Sequence, residues 1–229
     1  MNNVIEIPLG MGTKVFLLKG QAGAVLVDAG TPGQANRVLS GLAKHGIAPQ
    51  DVRLILITHG HLDHFGSARE LRERTGAPVA VHAGDAEALR AGVNPAESSQ
   101  PTSMVSRLLM GVGLRMVSLD PSSALEPDLV FEAPWRLDDY GVAAQVLLTP
   151  GHTPGSISIL LDSGEAIAGD IVVGDLLLRR PATPFVAWDL PRNWDSLRQL
   201  LAHTPRIIYI THGGPFTPGQ LETLLRSRQ

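Results

Sequence analysis

The stretch LILITHGHLDHFGS, residues 54–67, decides how the rest of the chain is interpreted. Its apolar run predicts a buried strand, and this strand leads directly into His59, His61, Asp63 and His64. Side chains two residues apart point to different sides of a helix, so His59 and His61 can act together only from an extended or loop segment. Loops at strand ends are where proteins commonly hold functional side chains. The stretch therefore predicts a strand that delivers a cluster of functional groups at its end.

This cluster has the composition of a metal site. Three imidazoles and a carboxylate so close together are costly to remove from water unless a cation organises them. Imidazole and carboxylate ligands without thiolate suit zinc, iron or manganese. The chain contains no cysteine, which excludes disulfides, thiolate nucleophiles and cysteine-based zinc sites. We therefore expect divalent cations to bind here.

Composition limits the classes of protein to which the chain can belong. Its 229 residues favour one large domain over 1–229, and 44% hydrophobic with 18% charged residues supply a substantial core. The net charge of −3 argues against a nucleic-acid partner. The first residues lack a secretory signal pattern, and no apolar run is long enough to span a membrane. We expect a cytoplasmic protein without a membrane partner.

The hydrophobic pattern alternates between strands and helices. Short apolar runs closed by Gly or Pro predict strands at 4–10, 13–20, 23–30, 51–58, 77–84, 142–149, 156–163, 165–170 and 206–214. Apolar residues at helical spacing predict helices at 31–46, 66–76, 85–92, 190–205 and 218–228.

Residues 93–140 interrupt this alternation and are a candidate insertion. A loop is followed by apolar residues spaced four apart over 103–116, typical of an amphipathic helix, and two glycines weaken it. Such a helix packs into the core or forms a lid over a site, and the sequence favours neither. Phe185 and Trp188, on a proline-rich loop, leave the same choice between core packing and the wall of an apolar pocket.

Three further strand ends carry side chains of the same kinds. His152 lies in a loop rich in glycine and proline after the strand at 142–149, Asp170 ends the strand at 165–170, and His212 lies at the end of the last strand. Because each follows an apolar strand, we expect these residues to meet at one edge of the sheet system. His45, His82 and His203 are expected at the surface or in the core.

The motifs together resemble those of a known family. THGHLDH resembles the HxHxDH signature of the metallo-β-lactamase fold superfamily, in its hydrolase branch. LVDAG (26–30), GHTPGS (151–156), GD (169–170) and THGGP (211–215) are similar to its other motifs, so the resemblance covers nearly the whole chain. It implies a mixed α/β fold of the α+β kind, a four-layer αββα sandwich of two mixed β-sheets flanked by helices.

Carried onto this sequence, the resemblance implies two metal sites. The first metal would be bound by His59, His61 and His152. The second metal would be bound by Asp63, His64 and His212. Asp170 would bridge the two metals, and Asp28 matches a buried aspartate that orients the histidine-rich loop. Asp63 would also be catalytic, orienting the nucleophile or moving a proton.

The resemblance also implies the chemistry. Two divalent cations, zinc before iron or manganese, would lower the pKa of a bridging water, and the hydroxide would cleave an ester, thioester or lactone bond of a small molecule. The alternatives are a persulfide dioxygenase with one iron on the first three histidines, and β-lactam hydrolysis. Asp170 argues against the second alternative, because cysteine-free β-lactamases of this family usually lack the bridging aspartate. A homodimer is left open.

Two departures from subfamily patterns bear on the substrate. Acyl-homoserine lactonases typically carry a tyrosine three residues after the bridging aspartate, where this chain has Val173. Glyoxalase II enzymes continue with a basic C-terminal region, and little chain follows His212 here. The sequence therefore predicts the class of reaction without selecting the substrate.

Overall fold

The computed structural model describes residues 4–10, 12–20, 23–111, 120–175 and 180–228. Its strands are β1 (Val4–Gly10), β2 (Thr13–Lys19), β3 (Ala24–Val27), β4 (Val52–Leu56), β5 (Val79–His82), β6 (Gln100–Pro101), β7 (Leu129–Phe131), β8 (Trp135–Arg136), β9 (Ala144–Leu148), β10 (Ile157–Leu161), β11 (Glu165–Ile167), β12 (Val173–Gly174), β13 (Pro181–Ala182), β14 (Val186–Ala187) and β15 (Ile207–Tyr209). Its α-helices are α1 (Ala35–Lys44), α2 (Leu62–Phe65), α3 (Ala68–Thr75), α4 (Ala86–Ala91), α5 (Met104–Gly111), α6 (Leu190–Ala202) and α7 (Pro218–Arg226).

Two mixed sheets form the centre of the fold. The first sheet has the strand order β1-β2-β3-β4-β5-β7, and the second has the order β15-β11-β10-β9-β8. Strands from β3 to β7 of the first sheet pair in parallel, whereas β1, β2 and β3 pair antiparallel. In the second sheet only β11 and β15 are parallel. Short antiparallel ribbons join β12 to β13 and β6 to β14.

Strand β2 shows how the layers are held together. Successive side chains of a strand point to opposite faces, and both faces of β2 are buried. Val15 and Leu17 pack in a cluster with residues of α1, α3 and α4. Phe16 and Leu18 pack between the sheets, where the ring of Phe16 meets that of Tyr209 edge-on at 6.0 Å. The first sheet therefore lies between a helical layer and the second sheet.

A third apolar cluster completes the sandwich. Trp194, Leu197 and Leu200 recur at helical spacing on one face of α6, and they pack with Ile208 of β15 and with residues of α7. Three apolar interfaces thus separate four layers, helices, sheet, sheet and helices. The predicted α/β fold class is confirmed. Among the described residues, no helix combines the length and apolar character that crossing a bilayer requires.

The candidate insertion at 93–140 is only partly separate from the sandwich. Strand β7 joins the first sheet beside β5, and β8 joins the second sheet beside β9. Residues 129–131 and 135–136 are therefore part of the two sheets, and the sequence did not predict these strands. Helix α5 forms in the described part of 103–116, and residues 112–119 lie outside the described residues. The single domain with a lid stays a prediction.

The direction of the strands brings several loops to one edge. Parallel pairing of β3 with β4, and of β11 with β15, places the carboxyl ends of each pair side by side. Strand β9 runs in the direction of β11, because both are antiparallel to β10. The two sheets also touch at this edge, where the backbone N–H of Ile157 donates to the carbonyl of Thr58 at 3.0 Å. The predicted strand-end residues all follow these strands.

We predict that Phe16→Ala lowers the free energy of unfolding by about 3–5 kcal/mol, because it leaves a cavity between the two sheets. Chemical denaturation measures the change. Val130→Ala, at a position of β7 that is 46% exposed, is the control and should stay within about 0.5 kcal/mol of the parent protein. A loss below about 1 kcal/mol for Phe16→Ala would contradict the assignment of Phe16 to the central core.

Candidate metal centre

The structure brings all seven predicted ligand residues together at the edge where the strands end. His59 and His61 follow β4, Asp63 and His64 lie in α2, His152 follows β9, Asp170 follows β11, and His212 follows β15. Their ligand atoms form three overlapping groups in which the atoms lie within 4.8 Å of one another: His59, His61 and His152; His59, His64 and Asp170; and Asp63, His64 and His212.

Asp170 lies between the first and the third of these groups. One carboxylate oxygen is 3.9 Å from Nε2 of His152 and 3.3 Å from Nε2 of His212. The other oxygen is 3.6 Å from Nε2 of His64. Asp170 therefore faces histidines of both groups, as a bridging ligand must.

Hydrogen bonds fix which nitrogen two histidines of the first group, His61 and His152, present to the centre. Nδ1 of His152 donates to the carbonyl of Val186 at 2.9 Å, which leaves Nε2 with a lone pair. The hydroxyl of Ser98 donates to the carbonyl of Pro95 at 3.0 Å, so it accepts from Nε2 of His61 at 3.1 Å. His61 consequently presents Nδ1 to the centre.

This arrangement directs two lone pairs at each other. Nδ1 of His61 and Nε2 of His152 are 3.0 Å apart, and the outer nitrogen of each ring holds the proton. Two acceptors at this distance repel unless a proton or a cation lies between them. Nε2 of His59, Nε2 of His64 and Oδ1 of Asp170 are also buried without a hydrogen-bond partner among the described residues. Such unpaired buried atoms fit cations bound between these side chains.

Asp28 lies behind the third group and is completely buried. Its carboxylate accepts Nδ1–H of His64 at 2.8 Å, and it accepts both the backbone N–H and the hydroxyl of Thr58, at 2.8 and 3.0 Å. The hydroxyl of Thr211 donates to it at 3.4 Å. These bonds turn Nε2 of His64 towards the centre. Asp28 adopts a φ of 65°, a strained conformation for a residue with a side chain.

A second buried carboxylate, Asp85, connects the loops that carry the first group. It accepts the backbone N–H of Gly60 at 2.8 Å, between His59 and His61 in sequence. It also accepts the hydroxyl of Thr153 at 2.6 Å and the backbone N–H of Gly155 at 3.0 Å, just beyond His152. Asp85 therefore holds two ligand loops in register without belonging to a ligand group.

Burial sets the charge of the first group. Burial, and then the neighbouring His152, lowers the pKa of His61 to about 3. Burial likewise lowers the pKa of His59, with further lowering from His64, and it lowers the pKa of His152 despite the opposing effect of Asp170. These three imidazoles are therefore neutral at pH 7, the state in which histidine binds metals.

Carboxylates set the charge of the third group. Burial lowers the pKa of His64, but Asp28, Asp170 and Asp63 outweigh burial and raise it well above its usual value. Burial also opposes the rise at His212, where Asp170 and Asp63 prevail. Burial would raise the pKa of Asp63, but His64 and His212 hold it well below the usual range. Without a cation, the carboxylates of this group favour protonated imidazoles at His64 and His212, and the imidazoles favour an ionised Asp63.

The centre is open on one side. His59, His61, His64 and His152 are buried. The side chains of Asp63 and His212, whose Oδ2 and Nε2 atoms are 3.0 Å apart, are 18% and 27% exposed. Solvent therefore reaches the centre beside Asp63 and His212.

The remaining histidines lie away from the centre. His45 and His203 are exposed. His82 is buried, its Nδ1 accepts the backbone N–H of Gly84 at 3.1 Å, and its ring packs against Phe131. None of the three belongs to a ligand group among the described residues.

Ser98 and Asp85 were not predicted from the sequence. Both lie outside the family motifs, and their partners are 37 and up to 70 residues away in the chain. A weak signal for Asp85 is its place directly after the strand at 77–84, parallel to the strand that carries His59. In the loop that carries His152, position 151 requires a glycine, because a Cβ there would lie 2.3 Å from the backbone of Asn193.

A four-layer sandwich with histidines and aspartates gathered at its strand ends defines a metal-dependent enzyme. The family model of the metallo-beta-lactamase superfamily matches residues 10–212. The chain belongs to this superfamily and is a metallo-hydrolase, which confirms the resemblance inferred from the motifs.

Individual relatives agree with this assignment. The probable metallo-hydrolase YflN of Bacillus subtilis is 29% identical over 208 residues, which cover 84% of this chain and 76% of the relative. The crystal structure of a metallo-beta-lactamase family protein from Thermus thermophilus is 26% identical, with a TM-score of 0.74 over 100% of this chain and 80% of that one. A hydroxyacylglutathione hydrolase of Anaeromyxobacter dehalogenans is 30% identical over 161 residues, 70% of this chain and 46% of the relative.

We predict that Asp85→Asn loosens the two ligand loops. An amide cannot accept at both oxygen positions, so at least one buried N–H or O–H donor loses its partner, and the free energy of unfolding falls by about 1–3 kcal/mol. Metal affinity falls about 10- to 100-fold, as for other residues that orient ligands. Denaturation of metal-free protein and metal content after dialysis measure the two effects.

Glu87→Gln, two residues further along the chain in α4 with a side chain 85% exposed, is the matched control and should change neither quantity. Unchanged metal affinity in Asp85→Asn would show that the loops keep their positions without this carboxylate.

Proposed function

We propose that the protein is a binuclear metallo-hydrolase that cleaves an ester, thioester or lactone bond of a small molecule. The observation that carries this proposal is the complete third group, Asp63, His64 and His212, beside His59, His61 and His152, with Asp170 facing both. An enzyme with one cation on three histidines would not need a second complete set of ligands. We propose zinc as the first choice of cation, with iron or manganese as alternatives, because imidazole and carboxylate donors suit all three. A cytoplasmic location and a homodimer stay predictions.

The roles of the residues follow from the contacts described above. His59, His61 and His152 would hold one cation, Asp63, His64 and His212 the other, and Asp170 both. Divalent cations bound there would lower the pKa of water and polarise the carbonyl group of the scissile bond. Asp63 stands at the open side of the centre and stays ionised at neutral pH, so it can orient a water molecule and pass a proton to solvent.

Asp28, Ser98 and Asp85 would act indirectly. Asp28 fixes the ring of His64, Ser98 fixes the ring of His61, and Asp85 holds the two loops of the first group. These contacts keep the ligand atoms in place before a cation binds. The similarity to the hydroxyacylglutathione hydrolase supports a thioester among the bonds proposed.

A hydrolysis panel on zinc-loaded protein tests the proposal. We expect turnover of lactoylglutathione or of lactones, loss of this activity with a chelator, and its return when zinc is added. Turnover of a chromogenic cephalosporin alone would favour β-lactam hydrolysis instead. One bound iron with oxygen consumption would favour a persulfide dioxygenase and would contradict the binuclear assignment.

We predict that His61→Ala and Asp170→Ala each lower kcat/KM by at least about 100-fold, because removal of a ligand costs more than removal of a residue that orients one. Metal content measured on the same samples should fall as well. His45→Ala, which changes an exposed histidine, is the control and should retain both activity and metal. Full activity in either ligand variant would contradict the assignment of His61 and Asp170 as metal ligands.

We predict that acidification removes the two cations in sequence. His64 and His212 have pKa values above 6.5, so protons compete with a cation at the third group already near neutral pH. His59, His61 and His152 have pKa values below 6.5, so the first group keeps its cation to lower pH. Metal content after equilibration over a pH series should therefore fall in two steps.

His212→Ala identifies the step. This variant should lack the step at higher pH and keep the one at lower pH. Loss of both cations in one step, or removal of the lower step by His212→Ala, would show that the charges of the two groups do not control their affinities.

A further inference from the structure

Large apolar side chains are exposed in one part of the molecule. Of the six in the described residues that are most exposed, all but Val130 lie in α5 or in residues 185–188: Met104, Val105, Leu108, Phe185 and Trp188. Met104 is 80% exposed and Leu108 is 69% exposed. Single exposed apolar residues are ordinary, but a contiguous set marks a binding surface.

These residues belong to one structural unit, called here the apolar ribbon, which consists of β6, α5, β14 and the adjoining Phe185 and Trp188. Val186 pairs with Pro101 and Ala187 with Gln100. The backbone N–H of Thr102 donates to the carbonyl of Phe185 at 3.1 Å, which places Phe185 beside the chain that enters α5. On α5, Met104, Val105 and Leu108 share one face, because residues three and four apart are neighbours on a helix.

The apolar ribbon is attached to the first ligand group. The carbonyl of Val186 accepts Nδ1–H of His152 at 2.9 Å, and the backbone N–H of Trp188 donates to the carbonyl of His152 at 2.9 Å. At the other end, Ser98 accepts from His61 two residues before β6 begins. Two histidines of the candidate metal centre therefore hold the ribbon in place.

We propose that the exposed face of the apolar ribbon binds an apolar acyl chain of the substrate, and this inference rests on the hydrolase function proposed above. A substrate whose carbonyl reacts at the metal centre must lay its acyl part on a surface next to the centre. The apolar ribbon is bonded to that centre and exposes five large aliphatic or aromatic side chains, alongside the polar Gln100 and Arg107. The substrate class is therefore an ester or thioester of a medium- or long-chain carboxylic acid.

The attachment favours substrate over the other occupants of an apolar surface. A face for a second copy of the chain or for a lipid surface has no need of bonds to metal ligands. A substrate subsite does need them, because they fix the acyl chain relative to the reacting bond. Val130, an exposed apolar residue on β7, lies outside the ribbon and provides the matched control.

The test is calorimetric binding of the straight-chain carboxylates acetate, butyrate, hexanoate, octanoate and decanoate to zinc-loaded protein. Each methylene that is fully buried strengthens binding by about fourfold, so even partial burial should give at least about a tenfold fall in Kd from acetate to decanoate. The double variant Met104→Gln/Leu108→Gln and the single variant Phe185→Gln should lose most of this dependence. Val130→Gln should keep it.

Binding separates this inference from the hydrolase proposal, because it needs no turnover. A flat chain-length series in the parent protein, or an unchanged slope in both ribbon variants, overturns the acyl subsite. A dimer that becomes monomeric in the double variant, or phosphatidylcholine vesicle binding lost in it, also overturns the subsite by assigning the face to another partner. A chain-length dependence without turnover of any ester would keep the subsite and overturn the hydrolase.

Discussion

The buried carboxylate of Asp28 is the contact on which the centre depends. It follows β3, and its donors come from the loop after β4, from α2 and from the end of β15, so one side chain joins the two sheets. A buried charge is stable only when several donors surround it, and here four donors from three segments do so. The strained φ of Asp28 is compensated by these bonds. The fold and the centre are therefore formed by the same interaction.

The two groups of candidate ligands are built on different electrostatics. The first group consists of neutral imidazoles with low pKa values, held from outside by Ser98, Val186 and Asp85. The third group mixes imidazoles with carboxylates, and Asp28 adds a further negative charge behind His64. A cation at the first group replaces no protons, whereas a cation at the third group replaces protons and neutralises carboxylates. The two sites therefore differ in charge before any cation binds.

The sequence predicted the parts of the structure that leave a repeating or dense signal. Long apolar strands such as β4, and ligands placed directly after them, are visible because burial on both faces gives a continuous apolar run. Strands β7 and β8 have three and two residues, too few for a period, and their side chains are partly exposed. Ser98 and Asp85 act through partners far away in the chain, so no local pattern marks them. Asp28 has equally distant partners and was found only through a family motif.

The two sides of the centre suit different tasks under the proposed function. Asp63 and His212 face solvent, so water enters and protons leave there through charged groups that stay hydrated. The apolar ribbon is bonded to His152 and His61 of the first group, and it exposes five large apolar side chains. Under the proposed acyl subsite, these side chains would hold the acyl chain beside the first group. Because the hydrogen bond between His152 and Val186 both orients the imidazole and positions β14, the proposed acyl subsite and the first group of ligands share one strand.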